Sequence, residues 1–297
     1  MIIALDLEFQ GKSGVIAAYL LPHTHGAALI ETGPGSTQAT LIRRLSDHGY
    51  NPSDITDVFL THIHLDHAGA SGWLARHGAR IHVHPVGAPH LLDPSRLLAS
   101  AARIYGDHMD SLWGEFLPVP PERLTTVLDG EWIEINGLRI LPLDTPGHAR
   151  HHMAYLYEDI CFSGDIGGVR LCGLPALRVP MPPPEFHLED WRHSLTKLSS
   201  HPISAIAPTH FGIYRDPGWH LANMIKLLDE VETWMSVHFL QNPPIKELKT
   251  RFTFWLDSKA DSDQLDHWTR QAYELANPSF MSIEGMQRYW RKIRNQV

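Results

Sequence analysis

Cysteine is nearly absent: Cys161 and Cys172 are the only two in 297 residues. They are too few for a disulfide framework, and neither has the spacing of a thiolate metal site. No apolar run is long enough for a transmembrane helix, and the opening stretch Met1 to Glu8 has neither the basic start nor the apolar core of a secretion signal. The expectation is therefore a cytoplasmic protein with no membrane partner. Excess positive charge is also missing. With 25 Lys and Arg against 33 Asp and Glu, the formal charge is −8, which argues against a nucleic-acid partner gripped by a basic surface. A small-molecule substrate is the partner that remains.

Histidine, by contrast, is plentiful, with 21 residues. Three of them fall with one aspartate inside Thr61-His62-Ile63-His64-Leu65-Asp66-His67. Imidazole nitrogen and carboxylate oxygen are the ligands that zinc or iron prefers. The residues before the cluster, Asp57 to Thr61, read as a short buried strand, and those from Ala68 to Arg76 read as a helix. The cluster thus lies at a strand-to-helix corner, where several side chains can turn toward one point.

The remaining pattern alternates strand with helix. Gly14 to Leu21 and Ala27 to Glu31 read as strands. A helix capped at Ser36 or Thr37 carries Leu41, Ile42 and Leu45 and ends at Gly49. Arg80 to His84 alternates as a strand. Residues 88–121 change to short helical pieces broken by prolines, an insertion placed to roof a pocket. Trp132 to Ile135, Asn136-Gly137 and Leu138 to Leu141 form a hairpin with a two-residue turn. Strands are expected at Met153 to Tyr157, Ile160 to Ser163 and Ile203 to Ala207, and an amphipathic helix at Leu188, Trp191, Leu195 and Leu198. Beyond Tyr214 the chain turns helical: a stripe at Leu221, Met224, Leu228, Met235 and Phe239, then helices over 262–276 and 282–294. The signature is α/β, with a main domain over 1–215 and a helical extension over 216–297 packed on it, as an appendage, a homodimer surface or a lid.

Three further histidines or aspartates stand where strands run into Gly- or Pro-marked loops: Thr145-Pro146-Gly147-His148, Phe162-Ser163-Gly164-Asp165 and Pro208-Thr209-His210-Phe211-Gly212. Together with the cluster, these motifs resemble the metallo-β-lactamase superfamily, and its glyoxalase-II-like hydrolase branch in particular, over roughly residues 10 to 215. The resemblance implies a four-layer αββα sandwich, followed here by the C-terminal helices. It also implies two divalent metal ions, zinc foremost, with manganese or iron as alternatives. His62, His64 and His148 would hold one metal, Asp66, His67 and His210 the second, and Asp165 both. The family's usual Asp before Thr-Gly is Glu31 here. No cysteine stands at the second metal, and the aspartate that the zinc β-lactamases lack is present, so β-lactam hydrolysis is not implied. Nor is there a match to the basic residues that grip glutathione.

The implied chemistry is hydrolysis, with a metal-bridging hydroxide attacking an ester, thioester or lactone carbonyl and Asp66 orienting it as the catalytic carboxylate. Phosphodiester hydrolysis by the same metal pair is the alternative, and iron-dependent sulfur or oxygen chemistry is a more distant one. Tyr105, His108, Phe211 and Tyr214 are candidates for the substrate pocket by their nearness to the motifs. The run Arg178 to Pro184 reads as a stiff connector, with Arg178 a candidate anion contact.

Overall fold

Two buried β-branched and aromatic runs convert an antiparallel meander into a partly parallel sheet. In the computed structural model, which describes residues 2–294, β1 (Ile3–Asp6), β2 (Ala17–His23) and β3 (Gly26–Ile30) run antiparallel. β4 (Ile55–Phe59), β5 (Arg80–Val83) and β6 (Leu124–Thr126) extend this sheet in parallel. Parallel neighbours need long crossovers. α1 (Gln38–Asp47) links β3 to β4, and α2 (Leu65–Ala68) with α3 (Ser71–Arg76) links β4 to β5. Between β5 and β6 lie α4 (Ala88–Leu92), α5 (Ser95–Tyr105) and α6 (Met109–Trp113), the short helices of the proline-broken insertion.

The second sheet begins at the Asn-Gly hairpin. Asn136 and Gly137 take φ of 48° and 88°, the left-handed pair that a tight hairpin turn requires. They join β7 (Ile133–Ile135) to β8 (Leu138–Asp144), and β9 (Met153–Tyr157) and β10 (Ile160–Phe162) continue antiparallel. α7 (Leu188–Ser199) then crosses to β11 (Ala205–Ala207), parallel to β10.

The sheets face each other across Tyr19, Ile30, Phe59, Tyr155 and Phe162. Helices cover both outer faces. Leu41, Leu45 and Leu74 pack beneath Leu20, Val58 and Ile81 on one side. Leu188, Trp191 and Leu195 pack with Leu228 and Met235 beneath Ile206 on the other. This is the four-layer αββα arrangement.

Several boundaries differ from the sequence expectation. The helix expected from Ala68 to Arg76 is two helices, α2 starting at Leu65 and α3 at Ser71, because Ala70 leaves the helical region at φ −93° and ψ 6° and its N–H donates to the Gly33 carbonyl at 3.1 Å. The strand expected at 203–207 covers only Ala205–Ala207. The edge strands β1 and β6 had been unanticipated, being short and weakly alternating. In the C-terminal extension, α8 (Pro217–His238) follows the expected stripe, but α9 (Ile245–Ser262) went unrecognised. Its buried residues Leu248, Phe252, Leu256 and Ala260 form a single row among charged neighbours. The helix expected over 262–276 is α10 (His267–Ala276), whose start is fixed by the Asp266 carboxylate accepting from the Thr269 N–H at 2.7 Å. The helix expected over 282–294 is α11 (Ser279–Lys292), which begins directly after Pro278. Among the described residues, no helix is long and apolar enough to cross a membrane.

Two core tyrosines tie the interior to the loops where the histidines lie. The Tyr155 hydroxyl donates to the Leu60 carbonyl at 2.9 Å, just before the cluster, and the Tyr19 hydroxyl donates to the Pro208 carbonyl at 2.6 Å, just before His210. The burial that stabilises the sandwich thereby fixes the ends of β4 and β11.

Candidate metal centre

The histidine cluster follows β4, where the chain leaves the sheet and opens α2. His62 and His64 come before the helix, and Asp66 and His67 lie in its first turn. The loops after β8, β10 and β11 bring His148, Asp165 and His210 to the same place. His62 Nε2 and His148 Nε2 each lie 2.9 Å from His64 Nδ1. Asp66 Oδ2 is 3.5 Å from His67 Nε2 and 3.4 Å from His210 Nε2. Asp165 faces both groups: Oδ2 is 3.3 Å from His148 Nε2, and Oδ1 is 3.4 Å from His67 Nε2 and 3.6 Å from His210 Nε2. All seven side chains named from the sequence therefore converge.

Three of the inward-facing nitrogens are set by a contact at the opposite ring nitrogen. His148 Nδ1 donates to the Pro180 carbonyl at 2.8 Å, and His210 Nδ1 donates to the Val15 carbonyl at 2.9 Å. His67 Nδ1 lies 3.1 Å from the Glu31 carboxylate. Such partners fix the tautomer and leave a lone pair on the inner nitrogen. Glu31 thus orients His67 from the position where the family's usual residue is aspartate. It is fully buried, stands in the left-handed region at φ 68°, and also accepts from the Thr61 hydroxyl and, at 3.2 Å, from the Thr209 hydroxyl. Although Glu31, His62 and His67 also cluster, Glu31 addresses the back of the His67 ring, and its oxygens are engaged there.

A fit to metal is visible in the polar atoms left over. His67 Nε2, His210 Nε2 and Asp165 Oδ1 are buried without a hydrogen-bond partner. Three unpaired acceptor sites pointing at one another are unfavourable unless a cation satisfies them. The ligand atoms of His62, His64 and His148, and those of Asp66, His67 and His210, each lie within 4.8 Å of one another. Electrostatics agree at the first group and at Asp66; at the second group, against the lowering effect of burial, Asp66, Asp165 and Glu31 raise His67, and Asp165 and Asp66 raise His210, so a cation bound there displaces protons. Burial, then the neighbouring imidazoles, push His62 and His148 well below the ordinary histidine range, and burial with His151 brings His64 down to about 4. Neutral imidazoles are the ligand form. Burial alone would raise Asp66, yet His67 and His210 hold it well below the usual carboxylate range.

Three contacts absent from the sequence expectation hold the Asp165 turn. His152 Nε2 accepts from the Asp165 N–H at 3.2 Å, the Trp191 indole donates to the Ile166 carbonyl at 2.9 Å, and His220 Nε2 donates to the Gly167 carbonyl at 2.6 Å. His152 stands four residues after His148, a spacing that might have drawn notice in a chain less rich in histidine.

The centre forms part of the wall of a cavity of about 470 Å³. Tyr105 and His108 line it, as expected. Arg178, Phe211 and Tyr214 do not. The Arg178 guanidinium lies over the Tyr273 ring at 5.0 Å and 3.7 Å from Glu274, facing the extension instead of the cavity. Phe211 packs between the hydrophobic clusters of the first sheet. The Tyr214 ring lies 4.0 Å beneath the Arg170 guanidinium, and the Arg170 N–H donates to the His210 carbonyl at 2.6 Å. Tyr214 therefore supports the loop and stands away from substrate. The connector's prolines, Pro180 and Pro182 to Pro184, are cavity wall, and so are Phe280 and Met281 of α11.

A metallo-beta-lactamase fold-containing protein of Sulfurisphaera tokodaii is 28% identical over 160 residues, 52% of this chain and 60% of its own length. An atrochrysone carboxyl ACP thioesterase of Aspergillus novofumigatus is 27% identical over 191 residues, 63% of this chain and 46% of its own length. The chain thus spans less than two thirds of either relative. Among solved structures, a metallo-beta-lactamase family protein of Thermus thermophilus superposes with a TM-score of 0.70 at 22% identity, covering 98% of this chain and 93% of that one. The sequence matches the metallo-beta-lactamase superfamily over residues 11–210, a stretch that carries every strand of the two sheets except β1 and all seven converging side chains, and the chain belongs to that superfamily.

Proposed function

We propose that the protein is a dinuclear metal-dependent hydrolase of the glyoxalase-II-like kind, acting on the carbonyl of a thioester or ester. The observation that carries this reading is the convergence of seven imidazole and carboxylate groups, three of their inner acceptors unpaired, at a centre that five of them present to one cavity. His62, His64 and His148 would hold one ion, Asp66, His67 and His210 the other, and Asp165 both, with zinc the natural choice for such a donor set. Two ions held there supply a water nucleophile at neutral pH and polarise the scissile carbonyl. Thioesterase-named relatives at 27–28% identity support the bond type.

The chain's own groups provide the rest. Asp66, the most solvent-accessible carboxylate of the centre with 20% of its side chain exposed, orients the attacking water and accepts its proton. The water oxygen bonds to the acyl carbon, the carbon–sulfur bond breaks, and the thiolate leaves and takes up a proton, giving a carboxylate and a thiol. Tyr105 lines the cavity as a neutral phenol, because burial pushes its pKa up. No Lys or Arg stands among the residues lining the cavity, which counts against phosphodiesters and glutathione conjugates.

The test is metal content by elemental analysis, paired with acyl thioester and phosphodiester assays on the same preparation. About two zinc ions per chain and thioester turnover abolished by Asp165→Ala or His62→Ala, with folded circular dichroism spectra retained, are expected. Activity confined to phosphodiesters would refute the reading.

A further inference from the structure

Beyond the centre, the cavity is lined mainly by apolar side chains, with Ser100, Tyr105, His108, Glu274 and Asn277 as the polar ones. Leu97, Ala101 and Ile104 of α5, Trp113 of α6, and Phe280 and Met281 of α11 make up its walls. The aromatic side is a fixed stack, with Phe9 and Trp113 rings 5.6 Å apart at 18° and Tyr105 edge-on to Trp113 at 5.0 Å. Outside the centre, Glu274 is the one acidic residue of the lining, and it is already engaged: one oxygen accepts from the Ser279 N–H at 2.8 Å and from its hydroxyl at 2.9 Å, and the other lies 3.7 Å from Arg178. The insertion and the extension meet over this space, where the Tyr105 hydroxyl comes within 3.0 Å of Met281 Sδ.

We infer that this cavity is an acyl pocket for an uncharged hydrocarbon chain of medium length, with any anionic part of the leaving group held outside it. The inference rests on the acyl-hydrolase reading and names its substrate class. A volume of 470 Å³ corresponds to about fifteen groups of water size, which accommodates the scissile carbonyl and a chain of about eight to twelve carbons. A carboxylate at the chain end would meet mostly apolar walls and an occupied glutamate, with no Lys or Arg to pair it and only Ser100, Tyr105, His108 and Asn277 as other polar neighbours outside the centre. The insertion and the extension, apposed at Tyr105 and Met281, set the length limit.

The experiment is a series of N-acetylcysteamine thioesters from acetyl to dodecanoyl on the metal-loaded protein, with binding of the matching free fatty acids followed by tryptophan fluorescence, since Trp113 faces the cavity. The expected kcat/KM rises about fourfold per methylene, as burial of each CH₂ implies, then falls once the cavity is full. Ala101→Phe, or Ile104→Trp should that variant fail to fold, lowers the decanoyl-to-butyryl ratio at least tenfold. A thioester of the same length ending in a carboxylate reacts at least tenfold more slowly than its methyl-ended counterpart. Hydrolysis with a flat length profile overturns the inference and leaves the hydrolase reading standing. Fatty-acid binding that tightens with length in the absence of any hydrolysis overturns the hydrolase reading and upholds the pocket. Neither hydrolysis nor length-dependent binding overturns both.

Discussion

His220 couples the C-terminal extension to the metal centre, and its protonation gives a stability effect with a definite sign. The imidazole lies on α8, fully buried, and its Nε2 donates to the Gly167 carbonyl two residues past Asp165. Burial lowers its pKa from 6.5 to about 4, with the Arg170 guanidinium adding to the effect and the Gly167 bond and Asp216 opposing it. The folded value lies below the unfolded one, so the unfolded chain takes up the proton first as the pH falls. The neutral imidazole's contribution is intact above the unfolded pKa and is lost as pH drops from 6.5 toward 4. At about 1.36 kcal/mol per pH unit, the loss between pH 7 and pH 4.5 is about 2 kcal/mol. His220→Gln retains a side-chain N–H for the Gly167 carbonyl but cannot be protonated. The other buried histidines titrate in both proteins and cancel in the comparison. Urea denaturation of both proteins at the two pH values, at equal metal loading, should show wild type losing about 2 kcal/mol more than the variant on acidification. If the two pH dependences superimpose, the imidazole is not held neutral by its burial and the reasoning fails.

Two further outcomes follow from the loops around the centre. Gly147 adopts φ +138°, and a Cβ there would come within 2.4 Å of the Trp191 backbone. Gly147→Ala should therefore destabilise by about 2 to 5 kcal/mol, from backbone strain and overpacking together, and weaken metal retention through the adjacent His148. Gly78→Ala, at φ +112° with nothing within 4 Å, carries the strain alone and should shift the melting temperature less; an equal shift would contradict the packing argument. Glu31→Gln leaves the seven inward-facing groups in place but removes the charge behind His67. Metal affinity should fall about 10- to 100-fold, read by competition with a chromophoric chelator, and an unchanged affinity would show that His67 needs no such partner.

Much of the site could be read from the chain in one dimension. Four of the seven inward-facing groups stand in one short cluster and three at strand ends marked by Gly or Pro, and loops after strands are where α/β folds place functional side chains. The layers were legible for a similar reason: period-two and period-four apolar patterns report which face of an element is buried. Short or diluted patterns escaped, as with the three-residue β6 and the single buried row of α9. The support around the centre escaped as well. His152, Trp191 and His220 reach the Asp165 turn from 13, 26 and 55 positions away in the chain, and Arg170 holds the His210 carbonyl from 40. No local pattern marks such a contact.

Which metal-binding chemistry the chain carries was fixed by residue type and spacing, because ligand preference belongs to the side chains themselves. What faces the centre was a matter of packing. The sequence suggested Phe211 and Tyr214 for the pocket through nearness to motifs and Arg178 as an anion contact, but the folded chain turns all three away and brings in Ile104 and Trp113 of the insertion with Phe280 and Met281 of the extension, more than 160 positions apart. A cavity wall has no sequence signature, since its residues are the same apolar types that fill the core, and only the docking of distant helices determines which of them are left facing an opening.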